Sequence, residues 1–94
     1  MAAKLSDAEI AARFEDLVDW EHDGDTIRKT FKLASFPVAI AFVTQVGFLA
    51  EAAEHHPDID IRWRKVSLAL TTHDVGGLSE KDFDLAAQID EILG

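Results

Sequence analysis

Glu51-Ala52-Ala53-Glu54-His55-His56-Pro57-Asp58-Ile59-Asp60-Ile61-Arg62-Trp63 is the stretch in which the apolar pattern changes period. Behind it, Phe36, Ile40, Val43, Val46, Leu49, Ala50 and Ala53 recur at helical spacing, and Phe42 and Phe48 widen that face. Ser35 is placed to cap this helix, and Pro37 falls in its first turn, where a missing N–H costs nothing. Pro57 is expected to stop the helix by biasing His56 away from helical geometry. Ahead of it, Ile59, Ile61 and Trp63 alternate, as in a strand. Val66, Leu68 and Leu70 also alternate, but at the other parity. A bulge, bend or tight turn is therefore expected at Arg64-Lys65.

Working outward, Ser6-Asp7-Ala8-Glu9 forms a capping box, with Leu5 and Ile10 as its staple. Ile10, Phe14, Leu17 and Val18 predict a first helix from Asp7 to Val18. A turn carrying Asp23-Gly24 follows. Ile27, Phe31 and Leu33 then oppose Arg28, Thr30 and Lys32 in a half-buried strand, with Lys29 interrupting its apolar side. Trp20 and Glu21 are the expected partner strand. Thr71 to Gly77 reads as a loop whose paired glycines supply unusual dihedrals. Ser79 caps the last helix, and Leu78 and Phe83 staple it. The order is α-β-β-α-β-β-α in a single domain, 1–94. It implies an α+β fold with an antiparallel sheet covered by helices on one face.

Composition narrows the function. A net charge of −9 leaves nothing to neutralise phosphates and disfavours both nucleic acid and anionic membranes as partners. Without cysteine, disulfides and thiolate zinc sites are excluded. The segment Met1 to Asp7 lacks the apolar core of a signal peptide, and Phe36 to Ala53 is interrupted by Thr44, Gln45, Gly47 and Glu51. The expectation is a soluble cytoplasmic protein. In a 94-residue chain, so wide an apolar helix also implies a second cover, namely a subunit interface.

Three of the four histidines fall at two junctions: His55 and His56 at a helix end, His73 at the end of a β segment. Imidazole titrates near neutrality, so a group of them can remove one proton and deliver another, as a dehydration requires. The same residues also suit a bland role as a C-capping cluster at the helix dipole. A metal site lacks the usual spacing, since there is no His-Glu-x-x-His and no i, i+4 histidine pair. A serine hydrolase lacks its Gly-x-Ser-x-Gly elbow. His22 reads as solvated, Trp20 and Trp63 as core or strand-pair aromatics, and Glu80 and Asp82 as first-turn charges needing no further role.

As a set, these residues resemble the pterin-4a-carbinolamine dehydratase family. The resemblance rests on Glu51, three spacers, His55-His56-Pro57, the aromatic Trp63, nine spacers, His73, and Asp82 or Asp84 as the closing aspartate. Thr72-His73-Asp74, Gly76-Gly77-Leu78, the Ser79 to Asp82 cap and Trp20 also match. The resemblance implies a four-stranded antiparallel sheet with three helices on one side. It implies dehydration of 4a-hydroxytetrahydropterin to the quinonoid dihydropterin, within tetrahydrobiopterin recycling, with no metal or organic cofactor. His55 and His73 become the acid/base candidates, and His56 chiefly a pterin holder. Trp20, Glu51, Lys81 and Asp82 would border or support the pterin. Family members form dimers or tetramers, often by pairing sheet edges and packing their long helices. Some act as transcriptional coactivators, and a related pterin substrate in molybdopterin metabolism is a further possibility.

Overall fold

A computed structural model describes residues 2–94. Its elements are α1 (Asp7–Phe14), β1 (Glu21–Asp23), β2 (Thr26–Lys32), α2 (Phe36–Ala53), β3 (Asp58–Arg62), β4 (Lys65–Leu70), a 3₁₀ turn (His73–Val75) and α3 (Glu80–Ile92). The four strands form one antiparallel sheet in the order β1-β2-β4-β3, with the three helices on one face.

The register explains the layering. Ile27 lies opposite Leu70, Phe31 opposite Val66, and Ile59 and Ile61 opposite Leu68 and Val66. Directly opposed residues share a face, so these side chains all point toward the helices. Ile27, Val66, Leu68 and Leu70 are fully buried there. Ala39, Phe42, Val46 and Ala50 of α2 and Phe83, Leu85, Ala86 and Ile89 of α3 complete the core. The other sheet face carries Arg28, Thr30, Ser67, Asp58 and Asp60 and stays open. Lys29 sits on the inward side, as its parity requires. Its ammonium reaches Asp90 Oδ1 at 2.9 Å and the Val18 carbonyl at 3.0 Å, so the interruption is a paired charge.

Three local expectations are corrected. First, α1 ends at Phe14, not Val18. Its last turn tightens, with Asp16 and Leu17 N–H donating three residues back. Glu15 and Asp16 oppose the negative end of the helix dipole. Asp19 then adopts φ 66°, which turns Trp20 into the core and leaves Val18 exposed. Second, the partner strand of β2 is Glu21–Asp23, one residue on from the Trp20-Glu21 reading. Trp20 is packed edge-on against Phe31 instead. Third, of the paired glycines only Gly76 needs a positive φ, at 67°, while Gly77 lies bare beneath the Lys4 side chain.

The parity slip expected at Arg64-Lys65 is a tight turn one residue earlier, so Trp63 is not a strand-pair aromatic but an exposed turn residue. β3 and β4 pair with Arg62 opposite Lys65, leaving Trp63, at φ 56°, and Arg64 as the loop. The Ser6–Glu9 capping box is formed, and its hydrogen bonds from Ser6 hold the Glu9 carboxyl below its ordinary range. A depressed carboxyl stabilises above its unfolded pKa and loses that contribution as pH falls through the folded one.

α2 is not buried on several sides within one chain. Phe36, Val38, Ile40 and Phe48 are exposed, Phe48 by 75%. By length and composition alone this helix is apolar enough to cross a membrane, with a mean hydropathy of 1.6, yet one side of it packs on the sheet.

The end of α2 fixes the next junction, and Pro57 is not what stops it. The helix closes in a Schellman motif: His55 N–H donates to the Ala50 carbonyl at 3.0 Å and Glu54 N–H to that of Glu51 at 3.1 Å. Glu54 takes the left-handed position usually held by glycine, with φ 52°. A non-glycine residue there stores roughly 1–2 kcal/mol. Glu54→Gly is therefore expected to leave the melting temperature unchanged or higher. The β-branched Glu54→Val should lower stability by about 1 kcal/mol, a fall of roughly 4–8 °C in a domain of this size. Calorimetry of the two variants checks this, and equal melting points would contradict it.

Candidate active site

Two chain junctions meet at one end of the sheet because β3 and β4 are antiparallel. Asp58 opens β3 opposite Ala69, near the end of β4. The residues just before β3, His55-His56-Pro57, must then lie beside those just after β4, Thr71-Thr72-His73. The Thr72–Gly77 bridge closes the loop that follows, and the 3₁₀ turn at His73 directs the chain into α3.

Asp82 stands at the centre of this meeting point. It is the third residue of α3, and its carboxylate accepts the Ser79 N–H at 2.9 Å, completing a capping box. It has no solvent exposure. The same Oδ2 accepts the Thr72 hydroxyl at 2.8 Å, and Oδ1 lies 2.5 Å from His55 Nε2. Ser79 Oγ lies 2.7 Å from Thr72 Oγ1. The reading of Asp82 as a first-turn charge with no further role is thus overturned. It caps α3 and also anchors a histidine from the far side of the fold. The positive end of α3 favours a negative charge at this depth.

A hollow of about 250 Å³ opens above this network, lined by Glu54, His55, His56, Thr71, Thr72, His73, Asp74 and Lys81. The three histidines singled out in the sequence therefore border one space. They differ in setting. His55 is buried and held by Asp82, whereas His73 is exposed. His56 is also exposed, and its Nε2 lies 2.9 Å from Glu51 Oε1. Lys81 borders the same hollow. Glu51 reaches it only through His56, and Asp82 only through His55.

Trp20 is placed elsewhere. The residue is 6% exposed, its Nε1 donates to Asp90 Oδ2 at 3.0 Å, and it borders a different hollow with Asp19, Glu21, Arg28, Lys29 and Thr30. Within one chain the fold does not bring it to the histidines, because Asp90 belongs to the last turns of α3 and Asp82 to the first. Among the described residues, no three His, Asp or Glu side chains gather as a metal-binding cluster. Thr71, Thr72, Asp74 and Glu54 line the hollow as well, and their spacing alone does not mark them for it. The signals of the network beneath are the Ser79-x-x-Asp82 spacing and the family match at Thr72-His73-Asp74 and Asp82.

Comparison with known proteins agrees over the whole chain. The sequence profile of the family described as "Pterin 4 alpha carbinolamine dehydratase" matches residues 3–92. A protein of Roseiflexus sp. (strain RS-1) that carries the pterin-4-alpha-carbinolamine dehydratase name is 71% identical over 99% of this chain and 100% of its own. One from Chloroflexus aurantiacus (strain ATCC 29366 / DSM 635 / J-10-fl), similarly named, is 65% identical over 97% of this chain and 98% of its own. The crystal structure of a "transcriptional coactivator/pterin dehydratase" from Brucella melitensis superposes with a TM-score of 0.93 at 28% identity, covering 97% of this chain and 99% of that one. A pterin dehydratase-like protein described as a RuBisCO assembly factor of the alpha-carboxysome shares the fold, with a TM-score of 0.66 at 24% identity over 80% of this chain and 87% of that one. With a family profile and full-length relatives both matching across the elements that build the hollow, the chain belongs to the pterin-4-alpha-carbinolamine dehydratase family.

Proposed function

We propose that this protein dehydrates a 4a-hydroxytetrahydropterin to the quinonoid dihydropterin by histidine acid–base catalysis, in tetrahydrobiopterin recycling in the cytoplasm. The observation that carries this reading is the convergence of His55, His56 and His73 on one hollow, with His55 anchored from beneath by Asp82. The chemistry breaks the C4a–O bond. One imidazolium gives a proton to the departing hydroxyl, which leaves as water, and one neutral imidazole takes the proton of the ring N–H. The net change is loss of one water, with no change in the protein's own proton count. His55 and His73 are the two proton carriers. His56, paired with Glu51 at the rim, holds the pterin, and Lys81 faces it from the first turn of α3. Neither a metal nor an organic cofactor enters this scheme.

General acid–base assistance is typically worth ~10²–10⁴ in rate. In a stopped-flow assay with 4a-hydroxytetrahydropterin, wild type should accelerate water loss, and His73→Ala should remove about that factor without changing the thermal transition. The rate should follow a bell-shaped profile across roughly pH 5–9, the range in which imidazole titrates. Failure of the wild type to accelerate dehydration would sink the reading.

Other surfaces support self-association. Ile59 and Ile61 point to the helix side but remain exposed, because β3 is an edge strand beyond the reach of the helices. An antiparallel copy of β3 centred on Ile61 would set Ile61 against Ile61. It would also set each Asp60 against an Arg62, so both faces of the pairing are complementary. The exposed side of α2 offers a second contact. Ile61→Lys and Phe48→Glu should each lower the assembly state seen by sedimentation, and a wild type that sediments as a monomer at micromolar concentration would refute self-association. The likeness to the Brucella transcriptional coactivator/pterin dehydratase and the exposed apolar side of α2 favour one rival, an interaction module working through α2. For that rival, His73→Ala would be silent and Ile40→Glu would abolish partner binding.

A further inference from the structure

We propose that Thr72 and Ser79 are positioning residues that act through Asp82 to hold His55 in its Nε2–H tautomer, so that the nitrogen presented to the substrate is always Nδ1. The inference rests on the dehydratase reading for its kinetic consequence, but its geometry stands alone.

Each hydroxyl has one hydrogen to give, and a carboxylate only accepts. Thr72 Oγ1 lies 2.8 Å from Asp82 Oδ2, so the Thr72 hydrogen goes to Asp82. The Ser79 hydrogen must then go to Thr72, 2.7 Å away, leaving the Ser79 oxygen to accept the Lys81 N–H at 3.3 Å. Asp82 Oδ2 also accepts the Ser79 N–H at 2.9 Å, and that oxygen is thus filled by two fixed donors. The remaining oxygen, Oδ1, faces His55 Nε2 at 2.5 Å, and only a protonated Nε2 completes the set. Ser79 and Asp82 are fully buried and Thr72 is 5% exposed, so solvent does not compete for these bonds.

The other ring nitrogen is accounted for by elimination. Among the described residues, His55 Nδ1 has no hydrogen-bond partner, and the only buried side-chain nitrogen or oxygen without one is Arg64 Nε. Nδ1 is therefore open to the hollow that His55 lines. Neutral His55 accepts a proton at Nδ1, and protonated His55 returns it from the same atom. The chain Ser79 to Thr72 to Asp82 to His55 keeps the ring from adopting the tautomer whose acceptor nitrogen would point at Asp82. A buried carboxylate that orients an imidazole in this way is a general device, and at metal sites that use it disturbing the outer partners typically costs roughly 10–100-fold in affinity or activity, the scale expected here.

The test uses the whole protein labelled with ¹⁵N-histidine. Long-range proton–nitrogen correlations at about pH 8.5, where an ordinary imidazole is neutral, should show His55 with a protonated Nε2 and a pyridine-like Nδ1. Thr72→Val leaves the buried carboxylate one donor short, so that it can take a proton and donate it to Nε2; the variant should therefore mix the two tautomers and lower kcat by roughly 10–100-fold, with KM changed less than about twofold. Thr72→Ser should restore both the spectrum and kcat. Ser79→Ala should move both in the same direction by a smaller amount, and it serves if Thr72→Val fails to fold. A pyridine-like Nε2 in the wild type, or a Thr72→Val protein with wild-type spectrum and kcat, overturns the proposal. A locked tautomer that Thr72→Val releases, in a wild type that does not dehydrate the pterin, upholds the positioning role and rejects the dehydratase reading alone.

Discussion

A carboxylate with no exposure is the constraint around which this fold closes. Burying a charge is costly unless its oxygens are met by donors. The donors for Asp82 come from three parts of the chain: Ser79 at the start of its own helix, Thr72 at the end of β4, and His55 beyond the end of α2. The last of these lies 27 residues away in sequence. Satisfying one side chain therefore fixes the start of α3, the exit from the central strand and the entry to the edge strand together. Losing any single donor would leave the buried charge less well matched, so the three junctions are energetically coupled through it.

That interaction works because the sheet order delivers its parts. With β3 antiparallel to β4, the entry to one is beside the exit from the other, whatever the loops contain. The Schellman motif at the end of α2 adds direction. By taking the left-handed turn at Glu54, the chain drops His55 beneath the surface and leaves His56 at the rim, where a helix continuing for another turn would have splayed the two rings by about 100°. The strain at Glu54 is thus spent at the edge of the hollow, where a local conformational cost serves the placement of two side chains.

The sequence made some of this legible. The Ser6–Glu9 capping box, the Ser79 cap, the inward parity of Ile27, Phe31, Val66, Leu68 and Leu70, and a turn within one residue of Arg64-Lys65 follow from local rules that the tertiary structure obeys. The misses share a cause. The early end of α1 depends on the burial of Trp20, which a helix-period pattern does not register. The end of α2 carries no glycine to announce its left-handed residue, so Pro57 took the credit. Asp82 satisfied a local rule so well, as an N-terminal helix charge, that its long-range partner was invisible. Trp20 matched a family pattern, yet its indole N–H is spent on Asp90 at the other end of α3. For the site, spacing marked the histidines, while the contact of Thr72 with Ser79 and Asp82 became visible only once β4 and α3 were brought together.

The distribution of apolar surface also separates catalysis from contact. On α2, Ala39, Phe42, Val46 and Ala50 seat the helix on the sheet, and the small residues at 39 and 50 let it approach closely. Phe36, Val38, Ile40 and Phe48 face away and remain uncovered. Removing apolar area from water is worth roughly 25 cal/mol per Å², so a protein surface laid along this side would add stability that a chain of this size cannot draw from its own core. The hollow begins at Glu54, beyond the last turn of the helix, roughly 10 Å along the axis from Phe48 at 1.5 Å per residue. A partner covering the middle of α2 can therefore leave the histidines open. Helix and hollow share a backbone but not a surface, and changes to one need not reach the other, provided the Schellman turn between them holds.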